Sequence, residues 1–230
     1  MLNELRGALE RQTATSEVLQ VISGSPGDLE PVFAAMLESA VRTCGAKFGN
    51  IYRVEGDGLC NVATHNTPTA FAEALRGSPY FSPGPNNPVR RMMQTKTIVH
   101  VLDVAASEAY TEREPITVAS VELGQTRTLM IVPMLKDNEL VGAFTLARQE
   151  VRPFTDKQIA LVTNFAAQAV IAIENERLLQ ELRERTAQLE TQSREVVKLN
   201  QQLEQRVTDQ VDEIERMGRL RRFLPPQWLI

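Results

Sequence analysis

Residues 128–146 read TLMIVPMLKDNELVGAFTL, two apolar runs on either side of Lys136, Asp137 and Asn138. Asp and Asn tolerate the left-handed backbone that a tight turn demands. The stretch therefore predicts two antiparallel strands, Arg127–Leu135 and Glu139–Gln149, joined directly. Side chains alternate between the two faces of a strand. Thr128, Met130 and Val132 share one face, and Leu129 and Ile131 the other. Ala143 and Thr145 likewise oppose Phe144 and Leu146. Bulky side chains suit a face packed on helices, which leaves the smaller set, with Thr128, Met130, Ala143 and Thr145, turned to the opposite face.

Downstream, Thr155 and Gln158 form a capping box, in which each side chain satisfies an amide of the other's turn. Ile159, Val162, Phe165, Ala169, Val170 and Ile173 then make a wide apolar stripe suited to packing on a sheet. From Phe154 to Met217 the chain has neither Gly nor Pro, enough for a helix on the order of 96 Å long at 1.5 Å per residue. Beyond Glu174 the stripe narrows to a heptad. Its d positions are Leu182, Leu189, Val196, Leu203, Gln210 and Met217, and its a positions Leu179, Thr186, Ser193, Asn200, Val207 and Ile214. Asn at a with Leu at d is the pattern of parallel two-stranded coiled coils. The expected seam is Leu179, Leu182, Leu189, Val196, Asn200, Leu203, Val207, Ile214 and Met217, and Pro225-Pro226 ends the helix.

Upstream, residues 1–24 carry a helical pattern broken at Gly24-Ser25-Pro26-Gly27. Asp28 caps a second helix with the apolar face Val32, Phe33, Met36, Leu37, Ala40, Val41 and Cys44. Strands at Lys47–Glu55 and Leu59–His65 flank the turn Glu55–Gly58. Residues 66–90 are loop-rich, with a short helix near 68–76. Asn87-Pro88 opens another helix through Thr95. A strand is expected at Thr97–Leu102 and a helix at 110–123.

With both sides in view, residues 128–146 resemble the hallmark of GAF domains, in which a strand ends in an apolar-Pro-apolar step and returns through an apolar-Gly-apolar strand. Phe154–Leu161 followed by Phe165–Asn175 resembles the family's closing helix, and Leu29–Glu55 its opening helix and first strand. The resemblance spans residues 29–176. It implies an α+β fold: an antiparallel sheet of about six strands with helices on one face, plus here a long C-terminal coiled-coil helix. It also implies a small-molecule or regulatory pocket beneath the loops of residues 66–123. For that pocket the candidate residues are Tyr52, Thr64, Asp103, Val121, Thr128, Met130, Ala143 and Thr145, with a collapsed core and no ligand as the alternative. Met217–Gln227 is similar to the segment leading into class III adenylate/guanylate cyclase domains of bacterial sensor cyclases.

The chain has 25 basic and 29 acidic residues, net −4, which gives no electrostatic footprint for nucleic acid. Its longest apolar run, Leu129–Leu135, is far short of the roughly 20 residues of a membrane helix, and no leader pattern opens the chain. Cys44 and Cys60 suit a reducing compartment, so a cytoplasmic location is expected. His65 and His100 have no partner at a metal-ligand spacing, and no nucleophile set or phosphate loop appears. No metal, cofactor or catalytic residue is expected. The free methionine sulfoxide reductases, GAF-like enzymes, rely on a cysteine set that two isolated cysteines do not supply.

These readings divide the chain into a signalling helix and linker (1–28), a GAF-like domain (29–176), a parallel dimeric coiled coil (177–224) and the start of a linker to an output domain (225–230). The expected role is a homodimeric sensory module, open to a small-molecule effector, that signals through its helices to a nucleotide cyclase. The alternatives are the sensor of a histidine kinase, though no His follows His100, and a spacer that senses nothing.

Overall fold

A computed structural model describes residues 29–221, with side chains as far as Met217. The expected helix of residues 1–24, the Asp28 cap and the Pro225-Pro226 stop lie outside the described residues. The elements are α1 (Glu30–Cys44), β1 (Phe48–Glu55), β2 (Gly58–His65), α2 (Thr69–Gly77), β3 (Tyr80–Phe81), α3 (Pro88–Thr95), β4 (Val99–Val101), a 3-10 turn (Val104–Ala106), α4 (Glu108–Thr111), α5 (Pro115–Glu122), β5 (Thr128–Lys136), β6 (Glu139–Arg148) and α6 (Asp156–Arg221). The six strands form one antiparallel sheet in the order β3-β2-β1-β6-β5-β4. This is the expected α+β architecture, a GAF-like sheet followed by a long C-terminal helix.

Local chemistry explains the boundaries. α1 stops at Gly45, whose left-handed φ of 55° lets its N–H bond to Arg42 O. Asn87 caps α3 by accepting the Val89 N–H at 2.7 Å, with Pro88 in the first turn. The helix expected over 110–123 is instead two, α4 and α5. Arg113 takes a positive φ of 60° between them, and Pro115 keeps Glu114 extended, so one helix cannot run through.

The sheet separates two apolar clusters. On one face, Val32, Phe33, Met36 and Leu37 of α1 and Val162, Phe165 and Ala169 of α6 pack on Ile51, Met130, Val132, Phe144 and Leu146. On the other, Phe71 and Leu75 of α2 and Val89 and Met92 of α3 cover Phe48, Tyr52, Ile131 and Ala143. Fully burying such side chains is worth about 1.5–3 kcal/mol each.

The alternation expected for β6 holds, with Phe144 and Leu146 on the helix face. For β5 it is reversed. The hairpin pairs Lys136 with Glu139 and Leu135 with Leu140, then Met134 with Gly142, so Val141 is an extra residue. Without that bulge Ile131 would stand opposite Phe144; with it, Val132 does. A one-residue slip exchanges the faces of a strand. Met130 and Val132 therefore join the helix-face cluster, and Leu129 and Ile131 the loop-face one. A second bulge, at Val62, shifts β2 against β1 in the same way.

α6 starts as the capping box requires: Thr155 N–H donates to Gln158 Oε1 at 3.0 Å and Gln158 N–H to Thr155 Oγ1 at 3.4 Å. Contacts divide the chain into two units, one ending at Leu179 and the next beginning at Gln180. In the second, the apolar heptad positions are bare, with Leu182 62%, Leu189 65% and Ile214 66% exposed. No helix among the described residues is long and apolar enough to cross a membrane.

Candidate functional site

β1 and β6 present to the loop face a row that the short helices do not fully cover. The result is a cavity of about 50 Å³. Phe48, Asn50 and Tyr52 come from alternate positions of β1, and Leu129 and Thr145 from β5 and β6. Phe71 of α2, Phe81 of β3, Asn87, Pro88 and Val89 at the start of α3, Val104, and Ile116, Thr117 and Ser120 of α5 close it. Phe48 stands edge-on to Phe71 with ring centres 6.1 Å apart, and Tyr52 edge-on to Phe81 at 5.6 Å.

Most polar groups of this wall are committed within the protein. Glu114 accepts from Asn87 Nδ2 at 2.5 Å and from the Thr117 hydroxyl at 2.6 Å, and it caps α5 through the Thr117 N–H. The Ser120 hydroxyl donates to Thr126 at 2.8 Å and that of Thr145 to Asn50 O at 3.2 Å. Asn50 is 3% exposed and its side-chain oxygen accepts from the Thr67 hydroxyl at 2.8 Å. Tyr52 is 6% exposed, and burial holds its phenol above the usual range.

Of the eight residues expected from the sequence, Tyr52 and Thr145 line this cavity. Ala143 is buried in the loop-face cluster without reaching the cavity surface, and Val121 is half-buried on α5 away from it. Thr64 stands opposite Asn50 but is exposed, because β3 covers only Leu59 and Cys60 of β2. Asp103 caps the 3-10 turn and holds Arg127 through two bonds of 2.9 and 2.7 Å, which keep its carboxyl below the usual range. Met130 belongs to the helix-face core through the Val141 bulge. Thr128 is a structural tie, its hydroxyl 2.7 Å from Leu102 O and accepting the Arg152 N–H. Asn50 was missed, although it precedes Tyr52 by two residues and strand alternation puts it on the same face.

A second polar centre sits at the root of α6. Arg148 is 2% exposed and no carboxylate bonds to it among the described residues. Its guanidinium donates to Arg152 O at 2.9 Å, Pro153 O at 2.7 Å, Cys44 O at 2.7 Å and Gln158 Oε1 at 3.3 Å, and lies 4.0 Å over the Phe154 ring. One side chain thus joins the end of α1, the end of β6 and the cap of α6. Burial pushes the Cys44 thiol up to about 11 against the opposing pull of Arg148, so Cys44 is an inert thiol. His100 Nε2 accepts the Phe154 N–H at 3.2 Å, and burial together with the Arg148 charge lowers its imidazole below the usual value. No cluster of three or more metal-ligating side chains occurs among the described residues.

A family model described as GAF domain matches residues 27–174. No curated protein matches the chain. Among solved structures it is similar to the GAF domain of a phosphoenolpyruvate-protein phosphotransferase from Coxiella burnetii, at 15% identity and TM-score 0.61 over 76% of this chain and 98% of that one. It is also similar to a GAF domain/HD domain protein from Geobacter sulfurreducens, at 18% identity and TM-score 0.57 over 68% and 98%. A domain of a two-component sensor histidine kinase protein from Sinorhizobium meliloti matches at 17% identity and TM-score 0.52 over 66% and 94%. At these identities the likeness is one of fold.

Proposed function

The chain belongs to the GAF domain family, a family of sensory and regulatory modules, and from that premise we propose that it dimerises in parallel through α6 and signals the state of its loop-face cavity to a downstream nucleotide cyclase. The observation that carries this reading is α6 itself. One uninterrupted helix runs from the capping box at Thr155 to Arg221. Its first turns are built into the sheet's core, and its later turns expose a heptad seam. An a/d seam bare to water is unfavourable for an isolated helix and is satisfied by a second copy. Asn200 at an a position favours two strands in register. A coupling of about 1–3 kcal/mol between cavity and seam shifts output several-fold. The cyclase assignment is supported by the resemblance of Met217–Gln227, and a cytoplasmic location follows from that role.

Sedimentation equilibrium at tens of micromolar tests the dimer. A dimer that becomes monomeric in Leu189→Asp/Leu203→Asp is expected, and a concentration-independent monomer in the native chain rejects the reading. Assaying the natural full-length protein for cyclisation of ATP or GTP tests the output. Histidine autophosphorylation in its place supports the kinase alternative.

A further inference from the structure

We propose that between Val196 and Ile214 a second copy of this chain docks on α6 along a straight line that buries Leu199 and Val211, so that the left-handed coil of the preceding heptads is unwound there. The proposal rests on the reading of α6 as a parallel dimer seam. The line is Val196, Leu199, Leu203, Val207, Val211 and Ile214. All are open to solvent in the single chain, from 49% at Val211 to 66% at Ile214. An α-helix turns about 100° per residue, so Val196 and Ile214, about five whole turns apart, share one face. The other four fall within about 60° of it. Val196, Leu199, Leu203 and Val207 step by three, four and four residues, an 11-residue spacing. Such a stutter among heptads unwinds a left-handed coil.

The heptad reading of the same stretch puts polar Asn200 and Gln210 at the centre and leaves Leu199 and Val211 on its margins, at g and e. Holding that heptad requires the helices to supercoil by about 20° per repeat. Without the supercoil, Leu199 and Asn200 stand on opposite sides of the contact line, as do Gln210 and Val211. Two more apolar side chains of each helix then leave water. Upstream the sequence offers no such exchange. The residues that precede Thr186 and Ser193, as Leu199 precedes Asn200, are Arg185 and Gln192. Turning Arg185 into the seam would bury an unpaired charge, so the preceding heptads keep their twist.

Charge divides the helix at the same place. In a parallel pair in register, a g residue of one helix faces the e residue of the other helix's next heptad. Arg185 thus meets Glu190 of the second copy, an opposite-charge pair. Farther along, Leu199 meets Glu204 and Arg206 meets Val211. Those flanks pair no charges, so nothing in them holds the heptad geometry in place.

The test is disulfide formation in the full chain carrying Cys60→Ser, with one cysteine added at a time and copper–phenanthroline as oxidant; Cys44 is buried. Rates are read against Leu203→Cys, which lies on both lines. A disulfide needs Cα atoms within about 7 Å, so a heptad seam makes Leu199→Cys and Val211→Cys about tenfold slower than Asn200→Cys and Gln210→Cys. The straight seam is expected to bring each neighbouring pair within about threefold, while Arg185→Cys stays about tenfold slower than Thr186→Cys. Sedimentation gives a second readout. Leu199→Gln/Val211→Gln should weaken the dimer about tenfold, which substitutions on exposed heptad margins would not do. Asn200→Ile/Gln210→Leu fills the heptad centre and should make Leu199→Cys slow again. Slow crosslinking at Leu199→Cys and Val211→Cys with Asn200 and Gln210 in place overturns the straight seam and leaves the parallel dimer standing. Absence of any crosslink at Leu203→Cys overturns both.

Discussion

His100 shows how one side chain can make the joint between sheet and helix sensitive to acid. Its Nε2 accepts the Phe154 N–H just ahead of the α6 cap, with the Arg148 guanidinium nearby. Protonation would set an N–H against an N–H beside a buried cation. Because the folded state lowers this pKa, the unfolded chain takes up the proton first as pH falls. The stabilisation is therefore complete above the unfolded value of about 6.5 and is lost as pH drops through the folded one. Urea midpoints should hold steady from about pH 8 to pH 7 and decline below about pH 6.5. In His100→Gln, whose amide oxygen can still accept, the decline attributable to this site should vanish. An unchanged acid limb in the variant would assign the effect to other groups.

At the scale of elements, the β5–β6 hairpin depends on Gly142 as much as on its turn. A Cβ there would lie 2.4 Å from Tyr52 O and 3.2 Å from Met134 Cε. Glycine in a strand marks such close backbone approach. Gly142→Ala should force β1 and β6 apart and cost about 1–3 kcal/mol, read as a fall in the urea midpoint; a midpoint within error of the native chain would show that the strands yield freely. The same hairpin explains what could be read from the sequence. Asp137 and Asn138, at φ of 47° and 65°, form the expected turn, and the Thr155–Gln158 box is a purely local signal that survived folding intact. For the Val141 bulge the one signal is the adjacent Gly142, which marks either a bulge or a close approach without saying which. Leu140, Val141 and Ala143 are apolar and fix no register, so side-chain size suggested one face for Met130 while the slipped register imposed the other. The cavity was harder still. Phe71, Phe81 and Ile116 reach it from three separate segments, and only tertiary packing brings them to Tyr52 and Thr145.

For the molecule as a whole, the heptad seam makes stability depend on concentration if two copies share it. Dimerisation stabilises by mass action, so the Tm of the full chain should rise with protein concentration. That dependence should disappear in a chain ending at Leu179, which keeps both apolar clusters and should still unfold cooperatively. A concentration-independent Tm in the full chain would argue against a shared seam. Among the described residues, the rims of the sheet are poor routes to association. β3 spans only Tyr80–Phe81 and β4 only Val99–Val101, so most of β2 and β5 lies along the two rims. One rim is kinked by the Val62 bulge. The other carries Pro133, two residues beyond the last β5 residue paired with β4 and without an amide hydrogen to offer. Neither rim is the long flat rail on which fibres grow by adding strands. Growth of this sheet edge to edge, strand added to strand, is therefore disfavoured at both rims.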